Sequence, residues 1–258
     1  MTSPFRENLL AGRGALITGA SSGLGAHFAR VLAAHGAAVA CCARRADKLD
    51  EIVSEISNAG GQALAVEMDV TDRDSIADAF ETATRALGPV TALINNAGMA
   101  STDRSIDLDP ETWSRVMETN LTGAWAVAQR AAKDMVAAGT PGTIVNIASV
   151  LGLRQAGGVL PYAVSKAGLV QLTKSLALEW ARHKIRVNAI APGYIETDLK
   201  RDFLESEGGQ TLMKRIPQRR FGKPGDLDGA LLLLASDASD FMTGEVVAVD
   251  GGHLVNTL

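Results

Sequence analysis

Residues 14–36, "GALITGASSGLGAHFARVLAAHG", join an apolar run, a glycine-rich turn and an amphipathic stretch without a break. This order predicts a strand over 14–18 and a helix over 24–36 that ends at Gly36. The first turn of such a helix presents backbone amide hydrogens, and a glycine-rich turn before it lets an anion approach closely. The turn can therefore hold a dinucleotide pyrophosphate, and an ordinary glycine-rich turn is the alternative.

The same alternation continues along the chain. Six more apolar runs have the length of strands: AAVACCA (37–43), QALAVEMDV (62–70), TALINNAG (91–98), TIVNIAS (143–149), IRVNAIA (185–191) and GEVVAVDGG (244–252). Amphipathic stretches predict helices at 47–61, 74–88, 110–137, 161–182 and 226–236. Apolar strands alternating with helices predict an α/β fold, a Rossmann-like doubly wound parallel sheet of about seven strands with helices on both faces. Because no linker interrupts the pattern, we expect one domain over residues 1–258, with Asp47 capping the helix at 47–61.

Charge and cysteine content narrow the classes of partner. The formal net charge of -4 argues against general binding to nucleic acid or to anionic membranes. The basic segment 214–223 is either a solvated loop or a site for the anionic tail of a substrate.

Cys41 and Cys42 are neighbours in a predicted strand, so they face opposite sides and are expected to be reduced core residues. With no signal peptide at the N-terminus, we expect a soluble, cytoplasmic protein.

The stretch "PYAVSKAGL", residues 161–169, holds Tyr162 four places before Lys166. A free tyrosine has a pKa near ~10, which makes it a poor proton-transfer group at neutral pH. Positions i and i+4 share one face of a helix, and a lysine cation there favours the phenolate and lowers that pKa. The pair predicts an acid/base catalyst, and a chance pairing on a helix surface is the alternative.

Two polar residues nearby belong to the same question. Ser149 ends the predicted strand "TIVNIAS", at the carboxyl edge of the sheet where open α/β folds bind ligands. It could bond a substrate oxygen or only cap a helix. Asn120 interrupts a predicted helix, although Asn is a modest helix former. Its amide could hold a relay water or simply bond to buried backbone.

These motifs together resemble the short-chain dehydrogenase/reductase family, in its compact form near ~250 residues. The matching stretches are TGASSGLG (18–25), MDV (68–70), NNAG (95–98), ETNLTG (118–123), IVNIAS (144–149), YAVSK (162–166), VNAIAPGYIETD (187–198) and TGEVVAVDGG (243–252). They cover nearly the whole chain in the order and spacing of the family.

The resemblance implies a catalytic set. Ser149 orients the substrate oxygen, Tyr162 transfers the proton, and Lys166 lowers the pKa of that tyrosine and bonds the nicotinamide ribose. Asn120 supports a proton-relay water, and hydride passes between nicotinamide C4 and the substrate carbon. The resemblance implies no metal, and the four histidines show no ligand spacing.

It also implies the coenzyme contacts, which follow the cleft from one end to the other. The resemblance places five residues around the pyrophosphate: Gly19, Ser21, Ser22, Leu24 and Gly25. It places Asp69 and Val70 at the adenine, and Asn96 and Gly98 along the adenosine. At the nicotinamide it places Pro192, Gly193, Ile195 and Thr197, together with Tyr162 and Lys166. Thr197 could otherwise cap a helix, and Asn95 could tie strands together.

The end of the second strand predicts which coenzyme binds. NAD-dependent Rossmann folds commonly place an acid about 20 residues beyond the glycine turn, to bond the ribose 2′-hydroxyl. Here Ala43 stands at that position and Arg44 follows. A guanidinium favours a 2′-phosphate, so we predict NADP(H) over NAD(H), carried mainly by Arg44, and carbonyl reduction as the direction. Alternatively, Arg44 and Arg45 merely face solvent.

Other functions remain open at this stage. The chain could be an NAD-dependent alcohol dehydrogenase of the same fold, a catalytically silent dinucleotide-binding sensor, or an epimerase or dehydratase. The substrate, a small carbonyl or alcohol compound, should lie between residues 150–161 and the segment after Pro192. Arg154 there either binds a carboxylate or phosphate or points outward.

The resemblance also implies a homotetramer built on the helices at 110–137 and 161–182 and on the last strand, with a monomer as the alternative.

Overall fold

Seven parallel strands form one sheet in the computed structural model, which describes residues 8–196 and 206–256. The strands are β1 (Gly14–Thr18), β2 (Ala38–Ala43), β3 (Gln62–Glu67), β4 (Val90–Asn95), β5 (Gly142–Ile147), β6 (Ile185–Pro192) and β7 (Val246–Val249). Their order in space is β3-β2-β1-β4-β5-β6-β7. The predicted α/β fold with a doubly wound parallel sheet is confirmed. The order reverses between β1 and β4, which is where such sheets open a ligand crevice.

Helices connect successive strands. They are α1 (Gly23–Ala34), α2 (Ala46–Asn58), α3 (Arg73–Leu87), α4 (Pro110–Met117), α5 (Gly123–Ala137), α6 (Leu160–Trp180), α7 (Glu207–Met213) and α8 (Asp228–Ala235). The predicted cap at Asp47 is wrong: α2 begins one residue earlier, with Arg45 at the N-cap and no side-chain capping bond. Asp47 lies inside the first turn instead, where its charge favours the helix dipole.

The sheet has an apolar layer on each face. Ile17 and Cys41 belong to one buried cluster, while Leu16 and Cys42 belong to the other. Neighbours in a strand therefore point to opposite faces, as the sequence predicted for the two cysteines, and both thiols are unpaired. Burial raises the pKa of each thiol, so both remain protonated at neutral pH.

A chain of hydrogen bonds crosses this apolar interior. The amide nitrogen of Asn95, in β4, donates to the carbonyl of Ala124 and to Oδ1 of Asn146, both at 3.0 Å. Asn146, in β5, donates in turn to Oγ1 of Thr173 at 2.9 Å, and Thr173 donates to the carbonyl of Leu169 at 2.8 Å. The prediction that Asn95 ties strands together is confirmed. The network also joins the sheet centre to α5 and α6.

None of the helices within residues 8–196 and 206–256 combines the length and apolar character that crossing a bilayer requires.

We expect Thr173→Val to destabilise the protein, because it leaves the buried amide of Asn146 without an acceptor. The free energy of unfolding should fall by about 1–3 kcal/mol, measured by urea denaturation. Thr84→Val makes the same chemical change on the exposed side of α3. It should stay within about 0.5 kcal/mol of the parent. Equal stability of the two variants would contradict the role assigned to this network.

Candidate active site

The carboxyl edge of β5 and the first turns of α6 bring three polar side chains together. Ser149 follows β5 by two residues, and Tyr162 and Lys166 lie on α6. The short 3₁₀ turn at 150–152 packs directly on α6: a Cβ at Gly152 would lie 2.7 Å from the backbone of Lys166. Only a residue without a side chain allows this approach, which holds Ser149 beside Tyr162.

Ser149 has two roles in the structure. Its Oγ accepts a hydrogen bond from the backbone nitrogen of Leu151 at 3.1 Å, so it does cap the 3₁₀ turn. Its side chain also acts on Tyr162: burial raises the pKa of that tyrosine, and Ser149 opposes part of the rise. The tyrosine is therefore a protonated donor at neutral pH.

Lys166 is 4% exposed, and its ammonium donates to the carbonyl of Ile147 at 2.7 Å. The ammonium lies 5.6 Å from the centre of the Tyr162 ring. Burial is the largest influence on the pKa of Tyr162 and raises it. That Lys166 opposes this rise stays a prediction.

Asn120 lies in a π-helical turn, Glu118–Thr122, between α4 and α5. There the nitrogen of Gly123 bonds the carbonyl of Glu118, five residues back, and such turns occur frequently at functional sites. The side chain of Asn120 is fully buried. It accepts from the nitrogen of Met99 at 2.8 Å and donates to the carbonyl of Met99 at 2.8 Å. These two bonds are those of the alternative that the sequence left open, an amide bonded to buried backbone, while the relay water stays a prediction.

Ser165 is a residue that the sequence analysis missed. Its Oγ accepts from Nδ2 of Asn120 at 3.0 Å and donates to the carbonyl of Tyr162 at 2.7 Å. It therefore connects the π turn to the helix that carries the tyrosine. The available signal was a small polar residue placed between Tyr162 and Lys166, where an apolar helix face would be expected.

The glycine-rich turn has the shape that a pyrophosphate requires. Gly19 has φ +67°, and a Cβ at Gly25 would lie 2.2 Å from the carbonyl oxygen of Gly19. Side chains outside the turn hold it in place: Asn96 donates to the carbonyls of Thr18 and Gly19, at 3.0 and 3.2 Å. Leu24 lies in the first turn of α1. The backbone amides of that turn can therefore face an anion.

The two arginines after β2 differ in their contacts. Arg44, the predicted determinant, has a side chain 78% exposed and lies 4.0 Å from the carboxylate of Asp69. Arg45 donates to Oγ of Ser21 at 2.9 Å and to Oγ of Ser22 at 3.1 Å. The sequence analysis assigned no site role to Arg45, because only the folded chain brings it to the glycine turn.

Three further residues predicted to contact the coenzyme, Asp69, Val70 and Gly98, follow strands β3 and β4. Hydrogen bonds from Thr71 lower the pKa of Asp69, whose carboxylate accepts from the backbone nitrogen of Thr71 at 2.9 Å. Val70 is 8% exposed, and its carbonyl oxygen would lie 2.7 Å from a Cβ at Gly123. A Cβ at Gly98 would lie 3.3 Å from Oδ1 of Asn120 and 3.6 Å from the ammonium of Lys166. Gly98 thus borders the catalytic residues.

At the far end, Pro192 ends β6, and the nitrogen of Gly193 donates to the carbonyl of Val249 at 2.9 Å. Ile195 is 3% exposed and bridges to Gly222. Thr197, also predicted to contact the nicotinamide, lies outside the described residues.

Within residues 8–196 and 206–256, no three His, Cys, Asp or Glu side chains are grouped to hold a metal ion.

Known proteins resemble this chain over nearly its whole length. A family model described as enoyl-(acyl carrier protein) reductase matches residues 19–253. Gluconate 5-dehydrogenase from Gluconobacter oxydans (strain 621H) is 38% identical over 248 residues, covering 96% of this chain and 96% of that protein. A 3-oxoacyl-[acyl-carrier-protein] reductase from Thermotoga maritima is 38% identical over 246 residues, covering 95% and 99%. A crystal structure of a putative 2-deoxy-D-gluconate 3-dehydrogenase from Agrobacterium tumefaciens with bound NADP superimposes with a TM-score of 0.90, at 40% identity, covering 98% of this chain and 100% of that one.

Proposed function

The chain belongs to the short-chain dehydrogenase/reductase family of NAD(P)-dependent oxidoreductases, and from this premise we propose that Tyr162, Ser149, Lys166 and Asn120 catalyse hydride transfer between NADP(H) and a ketone or secondary alcohol. The observation that carries the proposal is the buried ammonium of Lys166, which lies 5.6 Å from the centre of the Tyr162 ring, with Ser149 also acting on the pKa of the same tyrosine. A silent sensor could lose these groups, whereas this chain keeps all of them at the carboxyl edge of its sheet.

In the direction of reduction, bound NADPH would supply the hydride for the carbonyl carbon and would be left as NADP⁺. Ser149 donates a hydrogen bond to the carbonyl oxygen and orients it. Tyr162 then gives its proton to that oxygen, so the C=O bond becomes CH–OH and the tyrosine becomes a phenolate. The ammonium of Lys166 faces this new negative charge. Asn120 is hydrogen-bonded to Met99 and Ser165. In this mechanism its amide supports a water relay that returns a proton to Tyr162 by way of Lys166.

Tyr162→Phe deletes the proton donor and keeps the ring. Turnover should fall by at least the ~10²–10⁴-fold typical of a general acid, while the coenzyme still binds. Nicotinamide absorbance measures turnover, and fluorescence titration measures coenzyme binding. Near-normal turnover by this variant would overturn the assignment.

Because burial raises the pKa of Tyr162, reduction by the parent enzyme should hold steady through neutral pH and decline only when the tyrosine ionises at alkaline pH. Oxidation needs the phenolate and should rise with pH.

The coenzyme preference rests on the end of β2. Ala43 provides no carboxylate to repel a 2′-phosphate. Arg44 and Arg45 follow Ala43 in the chain, and the guanidinium of Arg45 donates to Ser21 in the glycine-rich turn. The related structure that holds NADP supports the same choice. Cells usually keep the NADP pool reduced, which favours carbonyl reduction as the working direction.

We expect kcat/KM to be higher with NADPH than with NADH. Arg44→Ala and Arg45→Ala should each lower kcat/KM for NADPH by about 10-fold or more, through a lost charge-assisted bond, and change kcat/KM for NADH little. Combining Ala43→Asp with Arg44→Ala should shift the preference toward NADH. Arg85→Ala removes one exposed cation of α3 as a matched control. Equal or better kcat/KM with NADH in the parent enzyme would refute the predicted preference.

The exposed faces of α5 and α6 support a homotetramer. Between these helices runs a groove of about 730 Å³, lined by Trp125, Val136, Leu178 and Trp180 among others. Leu178 is 83% exposed, and edge strand β7 also leaves apolar side chains partly uncovered. Apolar surface of this kind is characteristic of an interface.

Light scattering should give four times the 26.9 kDa mass of the chain at micromolar concentration. Leu178→Asp should lower that mass, because it places a charge in the proposed interface. Ile106→Asp changes a residue of equal exposure, 83%, outside these helices and should leave the mass unchanged. A single 26.9 kDa particle for the parent would rule the tetramer out.

A further inference from the structure

Resting on the proposed function, we propose that the substrate carries a carboxylate and that Arg154 binds it. Arg154 lies in the loop that leaves Ser149, and its backbone nitrogen donates to the carbonyl of Val150 at 2.8 Å. Its guanidinium reaches across the site to the C-terminal turn, where Nη1 donates to the carbonyl of His253 at 2.6 Å. The side chain therefore spans two distant segments of the chain instead of pointing outward.

Tyr194 connects this guanidinium with the reacting end of the site. Its ring meets that of His253 edge to face, with centroids 5.5 Å apart. Tyr194 contributes to the raised pKa of Tyr162, and Arg154 opposes the rise in the pKa of Tyr194. Tyr194 follows Pro192 at the end of β6, and its ring lies against His253, whose carbonyl accepts from Arg154. A substrate whose oxygen contacts Tyr162 can extend along Tyr194 toward Arg154.

Among residues 8–196 and 206–256, no carboxylate pairs with the guanidinium of Arg154, and the carbonyl of His253 is the one hydrogen-bond acceptor that its side chain meets. The nearby acid, Asp250, uses both oxygens to accept from the nitrogens of Gly252 and Leu254, at 2.8 and 2.7 Å. A half-buried guanidinium without a counter-ion can take a bidentate anion on its remaining donors.

The imidazole of His253 is a second group near Arg154 that could hydrogen-bond a ligand. The residue is 7% exposed, and its Nδ1 has no hydrogen-bond partner among the described residues. Burial, followed by the charge of Arg154, lowers the pKa of His253, so the ring is neutral at pH 7 and can offer a single N–H. One guanidinium beside a neutral imidazole matches the single charge of a carboxylate better than the greater charge of a phosphate.

Two arginines of the basic segment 214–223 already have protein partners. Arg220 bonds the carboxylate of Asp226 through its two terminal nitrogens, at 2.5 and 3.1 Å. Arg219 donates to the carbonyl of Lys214. Arg154 is therefore a better candidate than either of these two arginines.

Binding and turnover with matched compounds test the inference. The probes are D-gluconate and 4-hydroxycyclohexanecarboxylate, each compared with the alcohol in which CH₂OH replaces the carboxylate: D-sorbitol and 4-(hydroxymethyl)cyclohexanol. Calorimetric titration of the NADP-loaded enzyme gives Kd, and nicotinamide absorbance gives kcat and KM. We expect at least one acid to bind on the order of 10- to 100-fold more tightly than its neutral partner.

Three variants assign that preference to the guanidinium. Arg154→Met should abolish it by raising Kd and KM for the acid, while values for the neutral partner change less than about threefold. Arg154→Lys should restore part of it, because the charge returns without the bidentate geometry. Arg85→Met makes the same change in charge at the opposite edge of the sheet and should leave the preference intact. A purely structural role for Arg154 would lower the melting temperature and weaken both partners alike.

The outcomes separate this inference from the proposed function. If no acid binds better than its neutral partner, or if Arg154→Met leaves the preference unchanged, the carboxylate site is wrong, whatever the turnover. If acids bind through Arg154 but no probe and no other alcohol or ketone is turned over with either coenzyme, the inference stands and the proposed reaction fails.

Discussion

The hydrogen-bond chain from Asn95 through Asn146 to Thr173 is the interaction on which the site depends most. It crosses the centre of the sheet and fixes α6 to β5, so the core and the close packing of the turn at Gly152 together hold Ser149 beside Tyr162. Buried amides and hydroxyls are costly unless they are bonded, and a misplaced helix would leave them unbonded. The same groups that are expensive to bury thereby specify one position for α6.

Burial also shapes the chemistry. Tyr162 and Lys166 lie in surroundings that disfavour charge, which raises the pKa of the tyrosine and leaves it protonated. The ammonium of Lys166 is retained there by the carbonyl of Ile147. A proton donor beside a fixed positive charge suits reduction, because negative charge appears on the tyrosine only after the proton has left. The π turn at Asn120 and the hydroxyl of Ser165 hold this arrangement from the opposite side.

The two ends of the crevice are built differently. The pyrophosphate end depends on one continuous stretch, β1 with its turn and α1, and uses backbone amides and absent side chains. The proposed substrate end is assembled from Arg154, Tyr194 and His253, which belong to three separate segments. A change in one of those segments can alter what binds without touching the dinucleotide end. The proposed carboxylate site is therefore compatible with a coenzyme cleft that needs none of these three residues.

Local pattern alone was enough for the order of strands and helices, the parallel α/β fold, the opposite orientation of Cys41 and Cys42, and the positions of Ser149, Tyr162 and Lys166 at one edge. Such features depend on hydrophobic period and on the rule that parallel strands end together. Contacts between distant segments decided the rest. They place Arg45 on the glycine turn, insert Ser165 between Asn120 and Tyr162, direct Lys166 at a backbone carbonyl, and join Arg154 to His253 across 99 positions. Burial and hydrogen bonding depend on the whole packed chain, so no short stretch of sequence contains them.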